Sequence, residues 1–220
     1  MDWSALVVSL RLGIGTVLVL LPFGIWVGHR LAFARFRGRL VVEALVTVPL
    51  VLPPTVLGFY LLVTFGARSP LGQLFQALFG QSLAFSFEGL LLASVIANVP
   101  FAVQPIQRAF EAIPADVREA ASCCGLSPWE RFRRIELPLC RRGIVTGALL
   151  TFAHTLGEFG VVLMVGGNLP GETRTLSIAI YDRMQAFDDR AAATMAAVLL
   201  VVSVVTLLAT TRLMRSEVSR

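Results

Sequence analysis

The chain has 220 residues, 56% of them hydrophobic against 15% charged, and a mean hydropathy of +0.77. That is too little charge to cover a soluble globule, and the length suits one compact helical bundle without a sizeable catalytic domain. The formal charge of +5 rests on 19 basic residues, all arginine, clustered between apolar runs, a placement that fits anionic lipid headgroups better than nucleic acid.

The pattern predicts an all-α integral membrane protein, a single transmembrane domain over residues 1–220. Five spans are expected at about 5–28, 44–67, 89–107, 143–165 and 191–211, since roughly 20 apolar residues cross the hydrocarbon. The first is uncharged from Leu12 to Gly28 and extends toward Trp3 if Arg11 snorkels or faces a partner. A cleaved leader is not expected, because Asp2 stands where a basic segment belongs and no small-residue cleavage site follows before the Arg30–Arg39 cluster. Glu43, beside that cluster, reads as an interfacial ion-pair partner.

Pro49, Pro53 and Pro54 in the second span, and Pro100 and Pro105 in the third, remove helix hydrogen bonds and predict kinks or unwinding. Between these spans lies an uncharged run in which Leu71, Leu74, Phe75, Leu78 and Phe79 recur with helical spacing. It reads as an amphipathic helix at the interface, not as a sixth span.

The 107–142 loop carries seven arginines. Pro114 is expected at the first position of a helix running to Cys124, which Gly125 interrupts. Ser127, Pro128 and Glu130 then form a capping box with a proline-compatible first turn, and Pro138 is expected to close that second helix. Two rigid helices joined at a glycine read as a docking element for a soluble partner or as an ordinary helical loop with snorkelling arginines. Cys123, Cys124 and Cys140 are expected to be buried or partly buried thiols, and with only His29 and His154 they make no metal set.

In the fourth span Glu158 must face protein or water, and a structural or gate-positioning role is expected of it. Phe159 and Val162, one turn apart, offer an apolar gate surface. Thr47, Thr55, Asn98, Gln104, Thr151, His154 and Thr155 are candidate polar liners of a path, with helix–helix hydrogen bonding the competing role for each. Beyond it the segment from Glu172 to Arg190 forms a mixed-charge rim.

With five spans, fourteen arginines fall on one side and four, Arg68, Arg174, Arg183 and Arg190, on the other. The positive-inside rule then puts the N-terminus outside and the C-terminus in the cytoplasm, with the three cysteines on the reducing side.

Glu119-Ala120-Ala121, three residues, Gly125, nine residues, then Ile135, Leu137 and Pro138 resembles the EAA loop of ABC importer permeases at each defining position. The resemblance implies a type I importer-like fold in which Glu119, Ala120, Ala121 and Gly125 form a coupling helix seated on an ATP-binding subunit, anchored by Ile135, Leu137 and Pro138. Leu156-Gly157-Glu158-Phe159-Gly160 and the run Gly167 to Ser177 resemble the molybdate branch of the oxyanion importer permeases. That implies a homodimer in the cell inner membrane with two cytoplasmic ATPase subunits and a periplasmic molybdate-binding protein, for which Glu172, Arg174 and Arg183 are candidate docking residues. Sulfate, thiosulfate or tungstate transport, or a non-transporting scaffold subunit, are the alternatives. No enzyme is expected, since no acid/base or nucleophile cluster is present. The chain has no G-x-x-x-x-G-K-[ST] loop, so ATP is required by a partner and no cofactor is bound directly. No appended cytoplasmic sensor domain is expected.

Overall fold

The computed structural model describes residues 1–34 and 36–215; Arg35 and Arg220, both counted above toward the inner side, lie outside the described residues, as does the side chain of Arg215. Every element among the described residues is a helix. Asp2 opens α1 (Trp3–Phe33) by accepting the Ala5 N–H at 3.0 Å, a side-chain N-cap. Arg11 lies over the Phe87 ring, 4.2 Å from its centroid, so its charge meets an aromatic face at the head of the third span.

Helix α2 (Arg39–Val51) starts with Arg39 bonded to Glu43 at 2.8 Å, the ion pair expected there. It ends at Leu52, and α3 (Pro54–Phe65) leaves at 109°. The break falls at Pro53–Pro54, where two successive residues lack N–H donors, while Pro49 is carried inside α2. Helix α4 (Pro70–Phe79) runs from a Ser69 cap to left-handed Gly80; Phe75 packs on the core, whereas Leu71, Leu74 and Leu78 stay exposed. Helix α5 (Phe87–Glu111) runs unbroken through Pro100 and Pro105, so those prolines do not unwind it.

Helix α6 (Ala115–Cys123) has Pro114 as its N-cap, one position earlier than expected. Helix α7 (Pro128–Arg131) has the full Ser127–Glu130 capping box. The expected stop at Pro138 does not occur. Residues Phe132–Glu136 wind as a π-turn, with the Leu137 N–H reaching back five residues to the Phe132 carbonyl, and that wider turn lets the chain pass through the proline into α8 (Leu137–Gly157). Helix α9 (Gly160–Gly166) follows at a 64° bend, then α10 (Leu176–Gln185) and α11 (Asp189–Arg215).

Among the described residues, α1, α5 and α11 as far as Ala209 are each long and apolar enough to cross a membrane. The two bent pairs bring the number to five if each is one span. The bundle centre is α1 against α5 and α8, brought close by small residues. A Cβ on Gly28 would sit 3.0 Å from the Gln107 backbone nitrogen, and one on Gly143 would run into Ala109. Many large apolar side chains, among them Leu18, Trp26, Leu40, Leu200 and Leu207, remain exposed on the protomer, as a lipid-facing or partner-facing surface requires.

Candidate coupling arm and translocation path

The arm consists of α6, α7 and the turn between them. Gly125 adopts φ +77° with nothing within 4 Å of the position a Cβ would take, so backbone geometry, not crowding, calls for glycine here. Glu119 and Ala120 are exposed, and Ala121 is the residue α6 buries. Cys123 and Cys124 are exposed and only Cys140 is buried, which corrects the expected shielding of all three: α6 stands off the bundle and covers little of its own surface. Ile135 and Leu137 are half-buried and Pro138 is exposed.

The arm is fastened by a residue that sequence reasoning passed over. Glu136 is fully buried, and its carboxylate accepts from Arg118 Nε at 2.8 Å, from Arg131 Nε at 3.1 Å and from His29 Nε2 at 2.7 Å. The three donors come from α6, α7 and the C-terminal end of α1. His29 meets Phe33, Phe110 and Phe132 edge-on, each at 5.1 Å, and the Arg118 guanidinium lies 3.6 Å from the Phe33 centroid. A carboxylate removed from water requires such a full set of donors. Glu136 falls one turn from Phe132 and Cys140 on one helical stripe, so a charge on an apolar face was the available signal.

A second polar group crosses the bundle interior. Thr16 and Ser94 hydroxyls lie 2.9 Å apart, Asn98 Nδ2 donates to the Ser94 carbonyl at 2.8 Å, and Asn98 Oδ1 lies 3.1 Å from His154 Nδ1. His154 stacks on Phe101 at 3.9 Å, with Nε2 4.0 Å from Glu158 Oε2. Glu158 sits in the break between α8 and α9 and is buried; its Oε1 accepts the Val161 N–H at 3.0 Å and its own carbonyl accepts the Ser177 hydroxyl. The carboxylate thus satisfies donors that the break exposes.

The two broken helices meet at their breaks. A Cβ on Gly160 would stand 2.8 Å from Pro54 Cβ, and one on Gly58 would stand 2.8 Å from Met164 Cβ, so a glycine on each helix makes room for a side chain of the other. Thr55 is exposed beside this junction and Phe159 is half-buried against Tyr181. Val162 is fully buried with Leu12, Leu90 and Ile178. Thr47 donates to the Glu43 carbonyl, Thr155 donates to the Thr151 carbonyl, and the buried Thr151 hydroxyl has no partner among the described residues. Gln104 lines a cavity of about 650 Å³ with Pro100, Phe101, Arg108 and Thr146.

On the opposite rim Arg174 is held by Asn168 at 2.6 Å, with Asp182 at 3.7 Å and Asp2 at 3.9 Å. The Ala5 N–H, then the Ser4 hydroxyl, and also the Arg174 charge hold the Asp2 carboxyl below its ordinary value of 3.8. Glu172 is exposed, and Arg183, half-exposed, lies 3.5 Å from Asp188.

Helices broken in mid-length around an interior polar track, with a two-helix arm projecting beside them, are the architecture of a membrane-embedded transport permease subunit. Residues 21–216 match the family model described as binding-protein-dependent transport system inner membrane component, and the chain belongs to that family. It is 49% identical over 187 residues to the molybdenum transport system permease protein ModB of Azotobacter vinelandii, covering 85% of this chain and 83% of that one. To the protein of the same description in Escherichia coli strain K12 it is 39% identical over 184 residues, covering 84% and 80%. The fold is that of ABC importer permeases: it superposes on a chain of the MetNI methionine ABC transporter in an inward-facing conformation with TM-score 0.70 at 18% identity, covering 98% of this chain and 93% of that one.

Proposed function

We propose that this chain is the channel-forming subunit of an ATP-driven molybdate importer in the cell inner membrane. Two copies enclose the path, two cytoplasmic ATPase subunits bind the arms, and a periplasmic molybdate-binding protein delivers the anion. The observation that carries this reading is the arm itself: Glu119 and Ala120 exposed on α6, joined through left-handed Gly125 to a capped second helix and anchored at Glu136. The high identity to two molybdenum permeases supports the cargo.

In this mechanism the chain crosses the membrane five times, with its N-terminus outside and its C-terminus in the cytoplasm, a reading the arginine distribution supports. ATP binding closes the ATPase pair, draws the arms together and opens the path outward; hydrolysis resets it. The junction where Pro54 meets Gly160, with Thr55 and Phe159 beside it, is the gate region. Asn98, Thr151, Thr155, Glu158 and Val162 form the wall behind it, and Thr47 with His154 its polar flanks. A path lined by hydroxyls, an amide and an imidazole lets an oxyanion pass without holding it. On the outer rim Glu172 and Arg183 orient the binding protein, while Arg174 shapes the loop that presents them.

The test is purification of the chain with its ATPase and binding protein, followed by ATP hydrolysis in liposomes with molybdate, tungstate or sulfate. Stimulation by molybdate-loaded binding protein is expected; stimulation by sulfate alone contradicts the cargo, and no ATPase in the purified complex contradicts the class.

A further inference from the structure

The buried carboxylate at the foot of the arm ties together pieces that are distant in the chain. Glu136 ends the π-turn, Arg118 is on α6, Arg131 on α7 and His29 one helical turn before the C-terminal end of α1. Helix α6 buries Ala121 alone, so its side-chain grip on the membrane bundle runs mainly through Arg118, through Val117 on the Phe110 cluster and through Ser122 bonded to Arg131. Two of these three contacts lead to the Glu136 group.

From there the route continues into the membrane. Helix α1 packs closely on both helices of the polar track through its glycines: Gly28 against the Gln107 backbone and Gly24 against Ile106 and Ala102 in α5, and Gly13 against the Phe152 ring in α8. Those two helices carry Asn98 and His154. A shift of α1 along its axis therefore presses on both, because contacts this close leave little free space to absorb it. The linkage is one contiguous set of charge-assisted bonds and packed surfaces.

We propose that Glu136 is the junction through which movement of α6 reaches α1, and that His29 is the positioning residue on its membrane side. This rests on the reading of α6 as the ATPase-docking helix. Movement of the arm thus has three routes into the bundle: the short 112–114 link into α5, the continuous chain through the π-turn into α8, and the Glu136–His29 contact into α1. Cutting the third leaves the ATPase docked and working, but ATP is turned over without matching transport.

The complete transporter, with ATPase and binding protein, is reconstituted in liposomes, and molybdate uptake, ATP hydrolysis and subunit stoichiometry are measured together. His29→Leu removes the donor to Glu136, keeps apolar bulk among Phe33, Phe110 and Phe132, and leaves Arg118 and Arg131 in place. Uptake per ATP hydrolysed is expected to fall about tenfold with basal hydrolysis and assembly retained. His29→Gln, which restores a donor, is expected to recover most of that ratio. Wild-type coupling in His29→Leu overturns the proposal. So does equal loss in both variants, since the donor would then be irrelevant, and so does failure of His29→Leu to assemble, which would make the contact a structural staple. If the wild-type chain shows no ATP-dependent uptake, the docking reading itself has failed; ATP-dependent wild type with unaltered His29→Leu removes this inference alone.

Discussion

Asn98 Oδ1 and His154 Nδ1 lie 3.1 Å apart and join α5 to α8 across the interior of the bundle. Because the Asn98 amide nitrogen donates to the Ser94 carbonyl, its oxygen faces His154, and the imidazole Nδ1–H is the donor. Replacing Asn98 with leucine leaves that N–H without its partner, while the Ser94 carbonyl keeps its backbone bond within α5. A loss of about 1–3 kcal/mol is expected, read as a lowered unfolding midpoint of the detergent-purified chain. An unchanged midpoint would mean that water replaces the amide, as in an open path.

Thr151 is the converse case. Its buried hydroxyl makes no hydrogen bond among the described residues, so Thr151→Val, nearly identical in shape, is expected to match or slightly exceed wild-type stability. Uptake measured in the same preparation separates the roles: retained uptake assigns Thr151 to the wall, and a clear drop assigns it to contact with the anion.

The meeting of the two breaks is tested at Gly160. A methyl group there would press on Pro54 Cβ, and a ring fixed in the backbone has little room to yield. Gly160→Ala is expected to cost about 1–3 kcal/mol by overpacking and to depress uptake. Gly157, with nothing within 4 Å of its Cβ position, is the control, and alanine there is expected to be tolerated.

Acid sensitivity at the head of α1 follows from Asp2. Its carboxyl is held below 3.8 in the fold, so the contribution of this cap is fully present above that value and is lost as pH falls through the lower folded one. Thermal unfolding scanned from about pH 6 to about pH 3 is expected to show a declining midpoint that Asp2→Asn flattens. Asp2→Ala is expected to cost about 1 kcal/mol at neutral pH through loss of the Ala5 cap. A slope unaffected by Asp2→Asn would assign the acid loss to other carboxylates.

How much of this was legible in the sequence depended on how local the governing physics is. The Ser127–Glu130 box, the amphipathic run at Leu71–Phe79, the Arg39–Glu43 pair and the hinge at Gly125 were readable because each is decided within a few residues. The bends were only half readable. Prolines at 49, 53, 54, 100 and 105 all weaken a helix, but only the adjacent pair breaks one, because single losses are absorbed by packing. The break at Glu158 has no proline and depends on a carboxylate reaching Val161. Pro138 was misread as a stop because the π-turn that carries the chain through it, though local, leaves no spacing of its own in the sequence. Glu136 was missed because its partners are 18, 5 and 107 residues away in the chain, and only the folded structure brings Arg118, Arg131 and His29 to one point.

The central claim is that the α6–Gly125 arm carries the drive from an ATPase partner into the membrane. Gly125→Trp meets nothing within 4 Å at its Cβ but forces left-handed geometry on a residue for which it costs about 1–2 kcal/mol, so it disturbs the hinge through the backbone. The decisive measurement is ATP-dependent molybdate uptake in liposomes by assembled transporters carrying Gly125→Trp or lacking residues 119–125. The arm predicts a fall of about tenfold or more with the chain still folded in the membrane. Uptake at the wild-type rate from a normally assembled complex would contradict it.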